Sequence, residues 1–158
     1  MGARPGSAFA LAAALAALPS LAPGAPLAPQ QLCTVSATGL RFGAYNGHQA
    51  SDLMSAGNIT FTCTRSQPIS IKIETGSPIV AGYRAMRSGA HQLAYQVYLD
   101  AAGTQIWGDG ANGSKFYTNA SPPTGSAVVV PFFGRIPAGQ SGLVAGAYGD
   151  TLMVRIDF

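Results

Sequence analysis

The stretch YGDTLMVRIDF, residues 148–158, decides how the chain is read. Leu152, Val154, Ile156 and Phe158 alternate with Thr151, Met153, Arg155 and Asp157, the period of two expected of a strand with one buried and one wetter face. The sequence stops at Phe158, so this strand has no following hairpin partner. One of its edges must be covered by an earlier strand, by another chain, or by nothing.

The same alternation recurs upstream. Residues 69–74 (ISIKIE) set Ile69, Ile71 and Ile73 against Ser70, Lys72 and Glu74, and residues 58–64 (NITFTCT) set Ile59, Phe61 and Cys63 against Asn58, Thr60, Thr62 and Thr64. A first strand region is expected over 34–42, broken by Gly39; 84–87 is a short segment before Gly89, and 93–100 follows with Leu93, Tyr95, Val97 and Leu99 on one side. Residues 105–107 carry the single tryptophan, Trp107. Residues 127–134 (AVVVPFFG) read as a buried strand kinked at Pro131, and 43–57, 108–125 and 136–146 as polar or turn-rich connections. No segment sustains a helical period, and turn signals recur about every ten residues. The expectation is an all-β, immunoglobulin-like sandwich of about seven short strands.

The beginning of the chain reads differently. Residues 1–4 are short and positive, residues 8–18 are apolar but too few to span a bilayer, and small residues with proline follow. Residues 1–24 are therefore expected to be a secretory signal peptide, with cleavage after the Ala22-Pro23-Gly24 triplet. A short arm, 25–32, follows, and the domain proper is expected over 33–158. No other apolar run approaches the length of a membrane-spanning helix, so the exported chain is not expected to span a membrane.

An exported chain with two cysteines, Cys33 and Cys63, most simply forms one disulfide, and zinc would ask for more ligands than this spacing offers. The alternation of 58–64 turns Cys63 inward, where such a bridge could lie beneath the surface.

Only 9% of the residues are charged, an unusual surface for a cytosolic enzyme and a common one for extracellular β proteins. The formal charge of +3 falls when Arg4 leaves with the signal, and the remaining basic residues are scattered rather than clustered, which argues against nucleic-acid binding. Gly108, Gly110 and Gly113 satisfy the letters of a dinucleotide fingerprint, but no helix reads after them, so a turn is expected. Asp109 and Asn112 lack the periodic carboxylates of a calcium loop. His48, His91, Glu74 and Ser141 show none of the spacing of a nucleophile elbow or a contiguous triad, so no catalytic set is expected. The N-x-Ser/Thr sequons at Asn58, Asn112 and Asn119 are treated as products of a composition rich in those residues. The tyrosines are read as core and rim packing rather than a carbohydrate-binding face.

Taken in order, a set of landmarks resembles one family. They are Cys33-Thr34-Val35, Leu40-Arg41-Phe42-Gly43-x-Tyr45, Ile59-Thr60-Phe61-Thr62-Cys63, Gly82-Tyr83-Arg84-x-Met86, Leu93-x-Tyr95-x-Val97-Tyr98, Ile106-Trp107-Gly108, Phe133-Gly134-Arg135-Ile136 and Ala145-Gly146-x-Tyr148-x-Asp150-Thr151. The set is similar to the spore coat protein U domain, whose family includes the subunits of archaic, Csu-type chaperone–usher pili, and the resemblance covers residues 33–158. It implies an immunoglobulin-like fold lacking its last strand, with Cys33 and Cys63 as the family's disulfide pair. Leu152, Val154, Ile156 and Phe158, with Tyr148 ahead of them, match the C-terminal strand. A periplasmic pilus chaperone pairs with that strand first. At the outer-membrane usher, the N-terminal extension of a sibling subunit replaces the chaperone.

The implied function is structural, without enzymatic activity or cofactor. The chain would pass through the periplasm to a fimbrium at the cell surface and serve adhesion or biofilm formation. The arm 25–32 departs from the family. It is brief and holds Pro26 and Pro29, which lack the amide hydrogen that a donated strand uses. The resemblance therefore extends to a terminal subunit, or alternatively to a non-polymerising secreted or coat-associated β domain that binds a surface partner or glycan.

Overall fold

A computed structural model describes residues 33–74 and 82–158. The expected signal peptide, 1–24, and arm, 25–32, lie outside the described residues. Eight strands form two sheets: β1 (Cys33–Thr38), β2 (Leu53–Cys63), β3 (Ile69–Glu74), β4 (Arg84–Ser88), β5 (His91–Tyr98), β6 (Tyr117–Asn119), β7 (Val128–Ile136) and β8 (Met153–Asp157). The larger sheet runs β1-β2-β7-β5-β4 and the smaller β6-β3-β8, with every strand pair antiparallel. The chain crosses repeatedly between the sheets, as in the immunoglobulin-like sandwich expected from the strand pattern. Among the described residues there is no helix, and so none long and apolar enough to cross a membrane.

The core forms where the alternations meet. Ile59, Phe61 and Cys63 of β2, Ile69, Ile71 and Ile73 of β3, Leu93, Tyr95 and Val97 of β5, and Val130, Phe132 and Ile136 of β7 are all buried, with Trp107 between the sheets. The Trp107 indole N–H donates to the Ile71 carbonyl at 3.0 Å, and its backbone N–H donates to the Val97 carbonyl at 2.8 Å. One residue thus ties the smaller sheet to the larger. Cys33 and Cys63 are disulfide-bonded and face each other at the end of the β1–β2 ladder, closing a loop with a sequence separation of 30.

Three expectations change. Residues 43–57 do not form one connection, because β2 begins at Leu53 and pairs with β7 from Leu53↔Ile136 onward. Glycine weakens a strand locally, yet Gly57 is required here: a Cβ on it would come within 2.6 Å of the Phe132 ring, so tertiary packing overrides propensity. The first strand ends at Thr38 rather than Phe42, and β6 lies within what reads as the connection 108–125.

Nor is 127–134 buried on both faces. β7 alternates, with Val129 and Pro131 exposed and Val130 and Phe132 inside. Pro131 sits opposite Asn58, whose N–H turns toward Thr38 of β1, so this pair exchanges no hydrogen bonds across the β2–β7 ladder. The missing amide hydrogen of Pro131 faces the β5 side, where pairing has already ended at Tyr98↔Phe133. A proline is tolerated there with the β2–β7 register unbroken.

Candidate functional site

The C-terminal strand is where the sandwich is left open. β8 pairs with β3 along Ser70↔Asp157, Ile71↔Ile156, Lys72↔Arg155, Ile73↔Val154 and Glu74↔Met153, and among the described residues no strand pairs with its other edge. The register puts Val154 and Ile156 on the face shared with Ile73 and Ile71, and period two carries Leu152 and Phe158 to the same side. Those side chains face inward but are only partly covered. Val154 is 40% exposed and Phe158 53%, while Ile71 on the neighbouring strand is fully buried.

The outer face of β8 is charged. Arg155 bonds Asp157 at 2.8 Å and approaches Glu74 at 3.8 Å, and Lys72 approaches Asp157 at 3.4 Å. The Asp157 carboxyl is held below the usual carboxylate range, chiefly by its hydrogen bond from Arg155 and then by Lys72.

Beside that open edge runs an apolar cavity of about 240 Å³. One wall is residues 37–40 with Phe42, the other is Asp150, Leu152 and Val154, and the floor is Ile59, Ile73, Met86, Tyr95, Trp107 and Phe132. The first wall depends on a glycine. A Cβ on Gly134 would come within 2.5 Å of both Leu40 and Phe42, so only glycine at this inward position of β7 lets these two side chains lie against the sheet. Phe42 then meets the Tyr95 ring edge-on at 6.2 Å.

The cavity continues into a wider cleft of about 840 Å³ between residues 40–48 and 140–150, and Leu40, Phe42, Met86 and Asp150 line both. Hydrogen bonds hold the wider cleft in place. The Tyr45 hydroxyl donates to the Pro137 carbonyl at 2.7 Å and accepts from the Gln140 N–H at 3.1 Å. The Gln140 side chain in turn pairs with both backbone groups of Ala94. Tyr148 is partly buried, and its hydroxyl donates to the Val144 carbonyl at 2.9 Å. Gly149 exchanges two backbone hydrogen bonds with Arg87 of β4. The C-terminal segment therefore leaves the edge of the larger sheet at Gly149 and joins the smaller sheet at Met153.

A polar group sits at the crossing. The Tyr95 hydroxyl, buried in the floor, donates to Asp150 Oδ2 at 2.6 Å, and the Thr151 N–H donates to Asp150 Oδ1 at 2.8 Å. Burial, and then the hydrogen bond to Asp150, push the Tyr95 phenol well above its ordinary value, so it remains the donor. Arg84, 2% exposed, donates from Nη2 to the Trp107 carbonyl at 3.1 Å, while its Nε and Nη1 have no partner. Burial pulls its guanidinium below the ordinary value against the opposing pull of Tyr95, Asp150 and Asp109.

The other sequence candidates stay apart from this groove or form turns. GDGANG is a turn, with Asp109 Oδ1 accepting from the Ala111 N–H, the Ser114 hydroxyl donating to the Ala111 carbonyl, and Asn112 in the left-handed region at φ 51°. His48 and Ser141 both line the wider cleft, but among the described residues no hydrogen bond connects His48 or His91 to Ser141 or Glu74.

Sequence reasoning singled out the β8 side of the groove and missed its floor. Ile73, Tyr95, Trp107 and Phe132 come from different elements of both sheets, and only the packing of the two sheets brings them under one strand edge. The one local signal for the far wall is Leu40-Arg41-Phe42, a short apolar alternation after the end of β1 and out of phase with it.

The sequence matches the spore coat protein U domain over residues 21–155. No curated protein matches the chain. Among solved structures, it is similar to the crystal structure of the CsuC–CsuE chaperone–tip adhesion subunit pre-assembly complex from the archaic chaperone–usher Csu pili of Acinetobacter baumannii. The TM-score is 0.56 and the identity 23%, over 82% of this chain and 40% of that one, so this chain spans less than half of that neighbour's length. At that identity the likeness concerns the fold, whereas the domain match covers nearly all of the sequence: the chain belongs to the spore coat protein U domain family.

Proposed function

We propose that the chain is a structural, non-enzymatic subunit of a chaperone–usher surface pilus, completed by a strand that another polypeptide lays along β8. The observation that carries this reading is the juxtaposition of an unpaired strand edge with an apolar cavity floored by core residues. An added strand would satisfy the open backbone groups of β8, and its alternate side chains would enter the groove in a register set by the spacing of the pockets. Each apolar side chain buried in this way contributes about 1.5–3 kcal/mol. Leu152, Val154, Ile156 and Phe158, with Tyr148 at the entrance, are the acceptor residues of this reading.

The resemblance supplies the identities of the donors: a periplasmic chaperone first, then a sibling subunit at the outer-membrane usher. Export to the periplasm, a final place in a surface fimbrium, and a role in adhesion or biofilm formation follow from the same reading. The brief arm with Pro26 and Pro29 favours a terminal position in the fibre, since such a subunit receives a strand without giving one. That arm also supports a second reading, a non-polymerising secreted or coat-associated β domain that binds a surface partner or glycan.

Expression of residues 25–158 in an oxidising compartment, with and without a pilus chaperone of the same source, separates the two. Soluble yield that depends on the chaperone, with a one-to-one complex on purification, is the expected result. A stable soluble monomer without the chaperone would sink the pilus reading and leave the self-sufficient secreted domain.

A further inference from the structure

The narrow groove beside β8 is lined mostly by apolar residues, and Asp150 is the charged residue among them. Asp150 is exposed and lines both the narrow cavity and the wider cleft, so a strand that runs the full length of the groove must pass its carboxylate. Two hydrogen bonds hold that carboxylate in position, from the buried Tyr95 hydroxyl and from the Thr151 N–H, and Gly149 beside it is bridged to Arg87. Of about four lone-pair sites on a carboxylate, these use two. Arg84 is buried, always protonated in a protein, and has two guanidinium nitrogens unpartnered, a fixed positive charge in electrostatic reach of Asp150.

An apolar side chain laid against this carboxylate would strip water from it and return nothing. A hydroxyl, amide or ammonium would replace the lost water with a charge-assisted hydrogen bond, and a second carboxylate would be repelled.

We propose that Asp150 is a specificity-determining residue that sets the register of the incoming strand. Its occupant is an extended segment of another polypeptide, apolar at alternate positions, with one side-chain hydrogen-bond donor at the position that faces Asp150. Charge complementarity with the carboxylate and continuity with the open β8 edge define that partner. The inference rests on the strand-acceptor reading above and adds a polar requirement to it.

The test is a competition among synthetic peptides during refolding of the oxidised chain, with bound peptides identified by mass spectrometry. One peptide is apolar at every alternate position. The others carry a single Thr, Lys or Glu at each of those positions in turn. The expected result is one position, and one only, at which Thr or Lys is enriched over the apolar peptide by about ten-fold or more while Glu is depleted. Asp150→Ala removes that enrichment and still retains the apolar peptide. Asp150→Asn, which offers an amide donor as well as an acceptor, no longer discriminates against Glu.

Retention of the apolar peptide with no favoured position, or a pattern unchanged in Asp150→Ala, overturns the role given to Asp150 and leaves the acceptor reading standing. If the wild-type chain retains no peptide at all, the acceptor reading itself falls, and this proposal with it. The wild-type scan decides the matter even where a variant fails to fold.

Discussion

β3 and β8 lie side by side, share one ladder and read almost alike in sequence, yet they end in different surroundings. ISIKIE sinks Ile69, Ile71 and Ile73 completely, while LMVRIDF leaves Val154 and Phe158 about half exposed on the same side of the sheet. The difference is topological. β3 is central, with β6 on one side and β8 on the other, whereas β8 has β3 alone. Alternation in a sequence states what a strand is able to bury, and the sheet order decides whether it does. Where the two disagree, the unfilled side marks a place for another strand.

The largest expected effect breaks the better-buried partner. Ile71→Ala empties a fully enclosed site under Trp107 and should cost about 3–4 kcal/mol, read as a lower urea midpoint with an unchanged slope. A loss under about 1 kcal/mol would mean that the β3 face is no better packed than β8, and the contrast would collapse. Next is the disulfide on the edge strand of the larger sheet. Replacing Cys33 and Cys63 together by Ser removes the 30-residue closure and should cost about 3 kcal/mol in thermal unfolding. This clamp holds the β1–β2 edge, so binding of a donor peptide along β8 should survive in whatever fraction remains folded. Loss of peptide binding by the folded fraction would show that the two edges are coupled.

Val154→Asp sharpens the comparison with a smaller effect on the chain alone. Because Val154 is already 40% exposed, the isolated chain should lose no more than about 1 kcal/mol. A strand laid over the groove would bury that carboxylate among Ile73, Trp107 and Leu152, so the one-to-one chaperone complex should not form. A chaperone complex of normal yield with Val154→Asp would remove β8 from the acceptor site.

How much of this was readable beforehand follows from the same distinction. The faces of β3 and β8, the inward Cys63 and the turn at GDGANG depend on local spacing, and all are visible along the sequence. The start of β2 was hidden because Met54-Ser55-Ala56-Gly57 reads as small and polar. Its strand character comes from nine pairings with β7 and from Phe132 lying over Gly57. The groove floor was hidden for a stronger reason. Ile73, Tyr95, Trp107 and Phe132 belong to separate segments, and nothing in one segment announces which others will lie beneath it. In the sequence Asp150 stands out only as part of a family-like motif. Its place between two cavities and its bond from Tyr95 exist only after the chain has crossed from one sheet edge to the other.

The smallest prediction concerns the outer faces, where the two strands are alike. Arg155 and Lys72 depress the Asp157 carboxyl, so its ionised form favours the folded ladder. A depressed folded value means that the contribution is fully present above the ordinary carboxylate range and is lost as pH falls through the folded value. Acid should therefore loosen the β3–β8 ladder before the longer β2–β7 ladder, which has an Arg135–Asp52 ion pair at its margin but nine backbone pairings to hold it, as followed by amide hydrogen exchange. In Arg155→Ala the Asp157 titration, followed by NMR, should move up toward the ordinary range, with Lys72 still holding part of the shift, and added salt should act in the same direction. All these charges remain in contact with solvent, so the change in overall stability should be slight. An Asp157 titration unmoved by the loss of Arg155 would show that the pair is decorative, leaving the backbone ladder and the inward side chains as all that holds β8 in place.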